Sequence, residues 1–378
     1  MTQPALRVLI TGANGFIGRN LSVRLGELDE FAVTPFIRGD DAAALPALVE
    51  RADAVVHLAG ENRPADESAF TEVNTGLTIK LCDAIRGVNR STGRAIPLIL
   101  ASSAQAECDN PYGRSKLAAE QTVRALGDET GNPARIYRLP GVFGKWCRPD
   151  YNSVVATFCH NIARDLPVRV DIPDAQIRLV YIDDVVAEFV EALRTPPAGI
   201  MIGKVQPESA ITVGELAEKI ATFHNGRADL HTEEVGSGLT RALYATYVSA
   251  LPSSRFSYAI PAHRDARGSF VEMLKTPDCG QFSFLTAPPG VTRGGHYHHT
   301  KTEKFLVIRG EALFRYRNLL TGEQVQLRTS GNHPEVVETI PGWSHDITNI
   351  GDEEMIVMLW ANEVFDRNRP DTISSKVM

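Results

Sequence analysis

Three glycines set between a strand and a helix decide how this chain can begin to fold. The run Thr11-Gly12-Ala13-Asn14-Gly15-Phe16-Ile17-Gly18 follows the apolar stretch Val8-Leu9-Ile10 and opens onto a helical pattern from Phe16 to Leu25. At such a turn the backbone can approach a pyrophosphate, which then meets the positive end of a helix dipole. Short β-branched runs go on alternating with helical patterns, and Arg7 to Thr11, Ala54 to Ala59 and Leu98 to Ser102 read as strands. The first part of the chain is therefore expected to be α/β, a Rossmann-like doubly wound parallel sheet wrapped by helices.

The texture changes near residue 250, beyond Ser249-Ala250-Leu251-Pro252-Ser253-Ser254. Helical periodicity nearly vanishes there. Phe282 to Leu285, Lys304 to Ile308, Ala312 to Tyr316 and Met355 to Trp360 recur as apolar runs between Gly/Pro turns, the pattern of an all-β barrel or double-sheet jelly roll. A length of 378 residues exceeds the roughly 250 to 300 at which a single core stops growing. We therefore expect two domains, residues 1–246 and 252–378.

Composition excludes several classes. The net charge of -7 gives no basic footprint for nucleic acid. The longest apolar runs are too short to cross a bilayer, and the N-terminus lacks the basic and apolar regions of a signal peptide, so the expected location is the cytoplasm. Five cysteines without a CxxC pair argue against a disulfide framework and against a cysteine zinc site.

The second strand is expected to end near Phe36-Ile37-Arg38. A NAD enzyme places an acid there for the ribose 2′-hydroxyl; Arg38 suits a 2′-phosphate, which points to NADPH. Farther on, Tyr112-Gly113-Arg114-Ser115-Lys116 puts a phenol and an ammonium four residues apart on one helix face. A nearby ammonium pulls a phenol's pKa down toward neutrality, and Ser103, at a strand end, can hydrogen-bond the same substrate oxygen. Its neighbour Ser102 is the alternative.

These elements resemble an extended short-chain dehydrogenase/reductase of the sugar-nucleotide type over the first 250 residues or so. His57-Leu58-Ala59-Gly60 resembles that family's strand-four HxAG element, Asn74 its asparagine, and Arg138-Leu139-Pro140-Gly141-Val142-Phe143-Gly144 its segment leading to the substrate. The resemblance implies that Tyr112 is the general acid, that Lys116 lowers its pKa and binds the nicotinamide ribose, and that Ser103 orients the carbonyl. It also implies a cofactor bed of Gly12, Asn14, Gly15, Phe16, Ile17, Gly18, Arg38, His57, Leu58, Ala59 and Asn74. Ser103 is followed by Ala104 and Gln105 rather than an acid pair, which favours carbonyl reduction over dehydration.

In the second half Gly290, His296-x-His298, Glu303 and Gly310 are separated by five, four and six residues, a spacing that resembles the first cupin motif. Alternate strand residues point the same way, so His296 and His298 can converge on one ion, with Glu303 arriving from the next strand. Pro341-Gly342-Trp343-Ser344-His345 resembles the second motif and adds His345, with its proline one place off the usual pattern. Three imidazoles and a carboxylate suit a divalent metal, zinc first, with iron, manganese or nickel open. Asp265-Ala266-Arg267-Gly268-Ser269-Phe270 resembles an element of cupin epimerases acting on nucleotide-linked keto-deoxysugars, in which the arginine holds phosphate. Tyr297, His299, Lys304 and His263 are equal candidates for the proton transfers.

A reductase followed by a cupin resembles the CapF/WbjC family of capsule and O-antigen enzymes over essentially the whole chain. The resemblance implies a UDP-linked 2-acetamido-2,6-dideoxy-4-hexulose as substrate, epimerised at C3 by the cupin and then reduced at C4 with NADPH to UDP-2-acetamido-2,6-dideoxy-L-talose. In a second reading the cupin is a dimerising or sugar-binding module and the chain only a reductase; in a third the chain senses NADP without turnover. Cupins pair through strand edges, so a homodimer through the C-terminal domain is expected.

Overall fold

The opening strand, β1 (Leu6–Thr11), leads through the glycine turn into helix α1 (Phe16–Gly26) and strand β2 (Phe31–Phe36). The structure, a computed structural model, describes residues 5–64, 66–68, 70–260, 263–265, 268–270, 274, 276, 280–363 and 368–378. Helix α2 (Leu45–Arg51), strand β3 (Ala54–His57), helix α3 (Leu77–Thr92), strand β4 (Leu98–Ser103), helix α4 (Pro111–Thr130) and strand β5 (Ala134–Leu139) continue the alternation. Beyond it come β6 (Gly141–Phe143), α5 (Val154–Ile162), β7 (Gln176–Tyr181), α6 (Ile182–Arg194), β8 (Ile200–Gly203) and β9 (Glu208–Thr212).

The main sheet runs β2-β1-β3-β4-β5-β8 with every pairing parallel. Such sheets are covered on both faces, and Val8, Leu9, Ile10, Val55 and Val56 are fully buried accordingly. Pro35 costs no ladder hydrogen bond because β2 is the sheet's edge. The HxAG segment, likened above to a fourth strand, ends the third strand in chain order, since only α2 separates it from β2. The order reverses at β1, and the crevice outside the carboxyl ends of β1 and β3 is where such folds take ligands.

The remainder holds helices α7 (Val213–Asp229) and α8 (Gly238–Ser249), and then strands. Strands β10 (Ser257–Ala259), β11 (His263–Asp265) and β12 (Gly268–Phe270) are short, the last two forming a hairpin. The others are β13 (Gln281–Ala287), β14 (Thr292–Tyr297), β15 (Glu303–Arg309), β16 (Glu311–Asn318), β17 (Gln324–Ser330), β18 (Glu335–Glu338), β19 (Trp343–Asn349), β20 (Met355–Ala361) and β21 (Ile373–Ser374). They form two five-stranded sheets, β10-β18-β15-β20-β13 and β17-β16-β19-β14-β21. Phe305 of one sheet meets Phe314 of the other at 5.6 Å between ring centroids, and Tyr316 donates to the Glu338 carbonyl at 2.9 Å. The α/β half followed by an antiparallel all-β half is thus as the sequence implies.

Compactness divides the chain into two units. One runs to Phe143 and adds Tyr151–Ser153 and Ile177–Ala210; the other holds Gly144–Asp150, Val154–Gln176 and Ile211–Met378. Helices α5, α7 and α8 therefore lie in the same unit as the antiparallel sheets. There Arg227 of α7 and Lys304 of β15 both pair with Glu338, which is 2% exposed. No helix among the described residues is long and apolar enough to cross a membrane.

Candidate active site

Gly12 has φ +72, and a Cβ there would lie 2.6 Å from the Ala59 nitrogen, so the turn needs a residue without a side chain. Gly15 caps α1 without a side chain, Asn14 is exposed beside it, and Phe16, Ile17 and Gly18 form the first turn. An anion can reach that turn's N–H groups. Leu58 and Ala59 close the other side, both donating their N–H to Thr11, at 3.0 Å to its carbonyl and 3.4 Å to its Oγ1.

His57 does not face this crevice. It is 1% exposed, and its ring nitrogens meet the Thr11 hydroxyl at 2.5 Å and the Thr78 hydroxyl at 2.8 Å. Thr78 spends its own proton on the Asn74 carbonyl at 2.6 Å. His57 Nε2 must therefore carry the proton donated to Thr78, leaving Nδ1 to accept from Thr11. Burial, then the charge of Lys116, push the imidazole pKa down to about 3, so it stays neutral. His57 braces the strand ends.

Arg38 reaches the expected place, exposed just beyond β2, but its guanidinium lies 2.6 Å from Glu61 Oε2. The other oxygen of Glu61 accepts from the Tyr151 hydroxyl at 2.9 Å. Asn74, 2% exposed, accepts the Glu61 N–H at 2.7 Å and donates to the Glu61 carbonyl and to Ser115 Oγ. Its amide is spent on holding Glu61. Neither Glu61 nor this bracing is legible in a spacing; the one hint is that Glu61 directly follows the His57–Gly60 element.

Ser103, Tyr112 and Lys116 are brought together. Ser103, at the end of β4, hydrogen-bonds the Tyr112 side chain, and Lys116 lies one turn along α4 with Nζ 5.9 Å from the Tyr112 ring centroid. Ser102 points elsewhere: its hydroxyl donates at 2.5 Å to Glu120, a buried carboxylate that also takes a forked pair of bonds from Arg138. Of the two serines, Ser103 is therefore the one beside Tyr112. Lys116 is 8% exposed and donates to the Ala101 carbonyl at 3.2 Å; burial, partly offset by Glu120, lowers its pKa to about 8. Burial raises the Tyr112 pKa despite the Ser103 bond. The phenol is therefore held protonated, contrary to the lowered pKa expected from Lys116, because desolvation of the phenolate outweighs the one lowering influence, the Ser103 hydrogen bond. A protonated phenol is the form a general acid needs.

The second constellation lies in the all-β sheets. Ligand atoms of His296, His298, Glu303 and His345 all fall within 4.8 Å of one another. His296 and His345 oppose each other across β14 and β19, Glu303 begins β15 in the other sheet, and the three ring centroids are 4.8 to 5.1 Å apart. Glu303 Oε2 is 3.2 Å from His298 Nε2 and 3.7 Å from His345 Nε2. Buried His345 Nε2 has no partner within hydrogen-bond distance, as expected of a nitrogen kept for a metal. Burial, then the neighbouring imidazoles, lower the His296 pKa to about 3, which keeps its lone pair available. Nitrogen donors with one carboxylate suit zinc or a related divalent ion.

The proline shift in the second motif leaves His345 in place. Gly342 takes φ +82 under the Trp146 ring, and its N–H donates to the His298 carbonyl at 3.0 Å. Of the four proton-transfer candidates, Lys304 is buried and paired with Glu338; burial pulls against its ammonium, but that carboxylate holds the pKa above its ordinary value. It is committed to the core. Tyr297 and His299 lie beside the ligands with rings 5.6 Å apart. Arg267 and the His263 side chain lie outside the described residues. Lys301, buried with Nζ 3.0 Å from Glu303 Oε1, is a neighbour the spacing did not single out.

The NAD dependent epimerase/dehydratase family matches residues 8–203, and the polysaccharide biosynthesis C-terminal domain matches residues 263–373. Over 98% of its length the chain is 56% identical to 99% of the UDP-2-acetamido-2,6-beta-L-arabino-hexul-4-ose reductase of Pseudomonas aeruginosa. The crystal structure of the capsular polysaccharide assembling protein CapF from Staphylococcus aureus is matched with TM-score 0.65 and 38% identity, over 98% of this chain and 100% of that one. RMD from Pseudomonas aeruginosa, complexed with NADPH, is matched with TM-score 0.50 and 23% identity over 58% and 82% of the two chains, a likeness of fold alone.

Proposed function

Because the chain belongs to the NAD dependent epimerase/dehydratase family and, along its whole length, to the CapF-type enzymes, we propose that it converts a UDP-linked 2-acetamido-2,6-dideoxy-4-hexulose in two steps. Epimerisation at C3 comes first, in the all-β domain read as a cupin (residues 252–378). Reduction of the C4 ketone follows, in the nucleotide-binding domain (residues 1–246). The product is UDP-2-acetamido-2,6-dideoxy-L-talose, a precursor of UDP-N-acetyl-L-fucosamine in the cytoplasm. The order follows from chemistry: the ketone acidifies the C3 proton, and reduction removes it.

The observation that carries the reading is that one chain holds two complete constellations, Ser103 with Tyr112 and Lys116, and His296 with His298, Glu303 and His345. Bound NADPH supplies the hydride that goes to C4. Ser103 orients the carbonyl oxygen, Tyr112 gives it a proton, and the Lys116 ammonium steadies the phenolate left behind. Gly12, Asn14, Gly15 and the first turn of α1 receive the pyrophosphate, Leu58 and Ala59 flank it, and Arg38 takes the 2′-phosphate. A divalent metal, zinc first, held by the three histidines and Glu303 supplies Lewis acidity toward the ketone during epimerisation. Tyr297 and His299 lie close enough to the ligands to serve in the proton transfers.

A second reading makes the chain a reductase alone, with a binding or dimerising cupin, and the name of the Pseudomonas relative, a reductase only, favours it. One experiment separates the two: solvent deuterium incorporation at C3 of the UDP-linked 4-hexulose, followed by NMR in the absence of NADPH. Exchange that vanishes in the double variant His296→Ala, His298→Ala supports the two-step reading. No exchange alongside normal NADPH oxidation leaves only the reductase.

A further inference from the structure

We propose that Asp371 is a positioning residue of the metal centre, setting the loop that joins two of its ligands. The proposal rests on the metal reading above. Residues 298–302 connect β14 to β15, and those after His298 fix how Glu303 approaches it. The Asp371 carboxylate takes three successive N–H groups of this loop, from His299 at 2.8 Å, Thr300 at 2.6 Å and Lys301 at 2.7 Å, and the Thr300 hydroxyl at 3.1 Å. Convergent N–H groups form a concavity for an anion. Here the anion is part of the chain, some seventy residues away in sequence.

The main chain of the same residue acts on a ligand directly. His298 Nδ1 donates to the Asp371 carbonyl, which fixes the tautomer and leaves the Nε2 lone pair facing Glu303 and the other imidazoles. The following residues extend the hold. Thr372 Oγ1 accepts from Lys301 Nζ at 3.3 Å, and that ammonium is the one beside Glu303 Oε1. Ile373 and Ser374 then pair with Tyr297 and His296, and the Ser375 N–H donates to the Gly295 carbonyl at 2.9 Å. One short segment therefore touches the strand of one ligand, the ring of a second, the loop and the lysine that braces a third. Asp371 is half-buried, and its carboxylate is spent on the main-chain donors of this loop.

The test uses the full chain, stripped of metal with a chelator. Zn²⁺ affinity is measured by competition with a chromogenic chelator, and the visible spectrum of the Co²⁺ form reports ligand geometry. D371N should bind Zn²⁺ about 10- to 100-fold more weakly, the range for losing an outer partner of a metal ligand, and should alter the Co²⁺ spectrum, with NADPH affinity unchanged. D371E keeps the charge but moves the oxygens by one methylene; it should fall between wild type and D371N, and it carries the test alone if D371N does not fold. Wild-type affinity and spectrum in the variants overturn the proposal while leaving the metal centre intact. A wild-type protein that binds neither ion overturns the metal reading itself.

Discussion

Glu61 holds Arg38 at 2.6 Å, so the arginine suited to a 2′-phosphate is already paired with a carboxylate. A phosphate entering there must displace Glu61 or share Arg38 with it. Arg38→Ala should lower the preference for NADPH over NADH about 10- to 100-fold, the worth of one charge-assisted bond to phosphate. Glu61→Gln should instead tighten NADPH a few-fold, because the competing charge is gone while the residue's shape stays. Titrating both cofactors by quenching of protein fluorescence reads this out; equal cofactor preference in Arg38→Ala and wild type would remove Arg38 from the cofactor site.

Lys116 and Tyr112 should set the alkaline side of the pH profile. Burial lowers the Lys116 pKa to about 8 and raises that of Tyr112. As pH rises the lysine therefore loses its charge first, while the phenol keeps its proton. We expect kcat/KM for ketone reduction to fall above about pH 8, and Lys116→Arg, which stays charged, to carry the plateau past pH 9 at a lower rate. Tyr112→Phe should lose about 10²- to 10⁴-fold in rate with NADPH binding intact. An unshifted limb in Lys116→Arg would assign it to another group.

His57 makes folding stability depend on pH. Its folded pKa of about 3 lies below the ordinary 6.5, so below pH 6.5 the unfolded chain takes up a proton that the folded chain refuses. Stability should fall as pH drops from about 6.5 towards 3, at up to about 1.4 kcal/mol per pH unit from this group. Urea unfolding of wild type and His57→Gln at pH 7.5 and 5 isolates its share, since other histidines remain in both proteins. The variant should lose less on acidification, and parallel losses would refute the assignment.

The edge strand β13 leaves Phe284 70% exposed and Phe282 50% exposed, and it ends its sheet among the described residues. Aromatic residues on an open edge invite pairing with a second copy. We expect a dimer in sedimentation at micromolar concentration and a monomer on Phe284→Asp. A wild-type monomer would end that expectation.

Much of this was legible in the residues themselves. Alternation of Val8-Leu9-Ile10 with the following helix marked a parallel sheet, because backbone geometry fixes that pattern locally; His296 and His298 do come together, but His298 lies just past the end of β14 rather than on the strand. Ser103, Tyr112 and Lys116 met as expected, since a strand end and one helix turn determine their separation. Partners supplied by distant segments were not legible. Glu61, Glu120 and Asp371 look like ordinary surface acids in the sequence, and only the folded chain brings them to Arg38, Arg138 and the loop after His298. Lys304 erred the other way: its neighbourhood suggested chemistry, whereas strand alternation turns it away from Glu303 toward Glu338 and Arg227.

Strand β21 meets β14 opposite His296 although the two are far apart in sequence. Ribosomal synthesis therefore delivers all four histidine and glutamate positions before the strand that borders the first of them exists. For that interval the nascent cluster has its side chains but lacks one of the two strands that flank its first histidine. A chaperone or a metal donor that reaches the chain early meets an unfinished pocket, which the docking of β21 on β14 later completes.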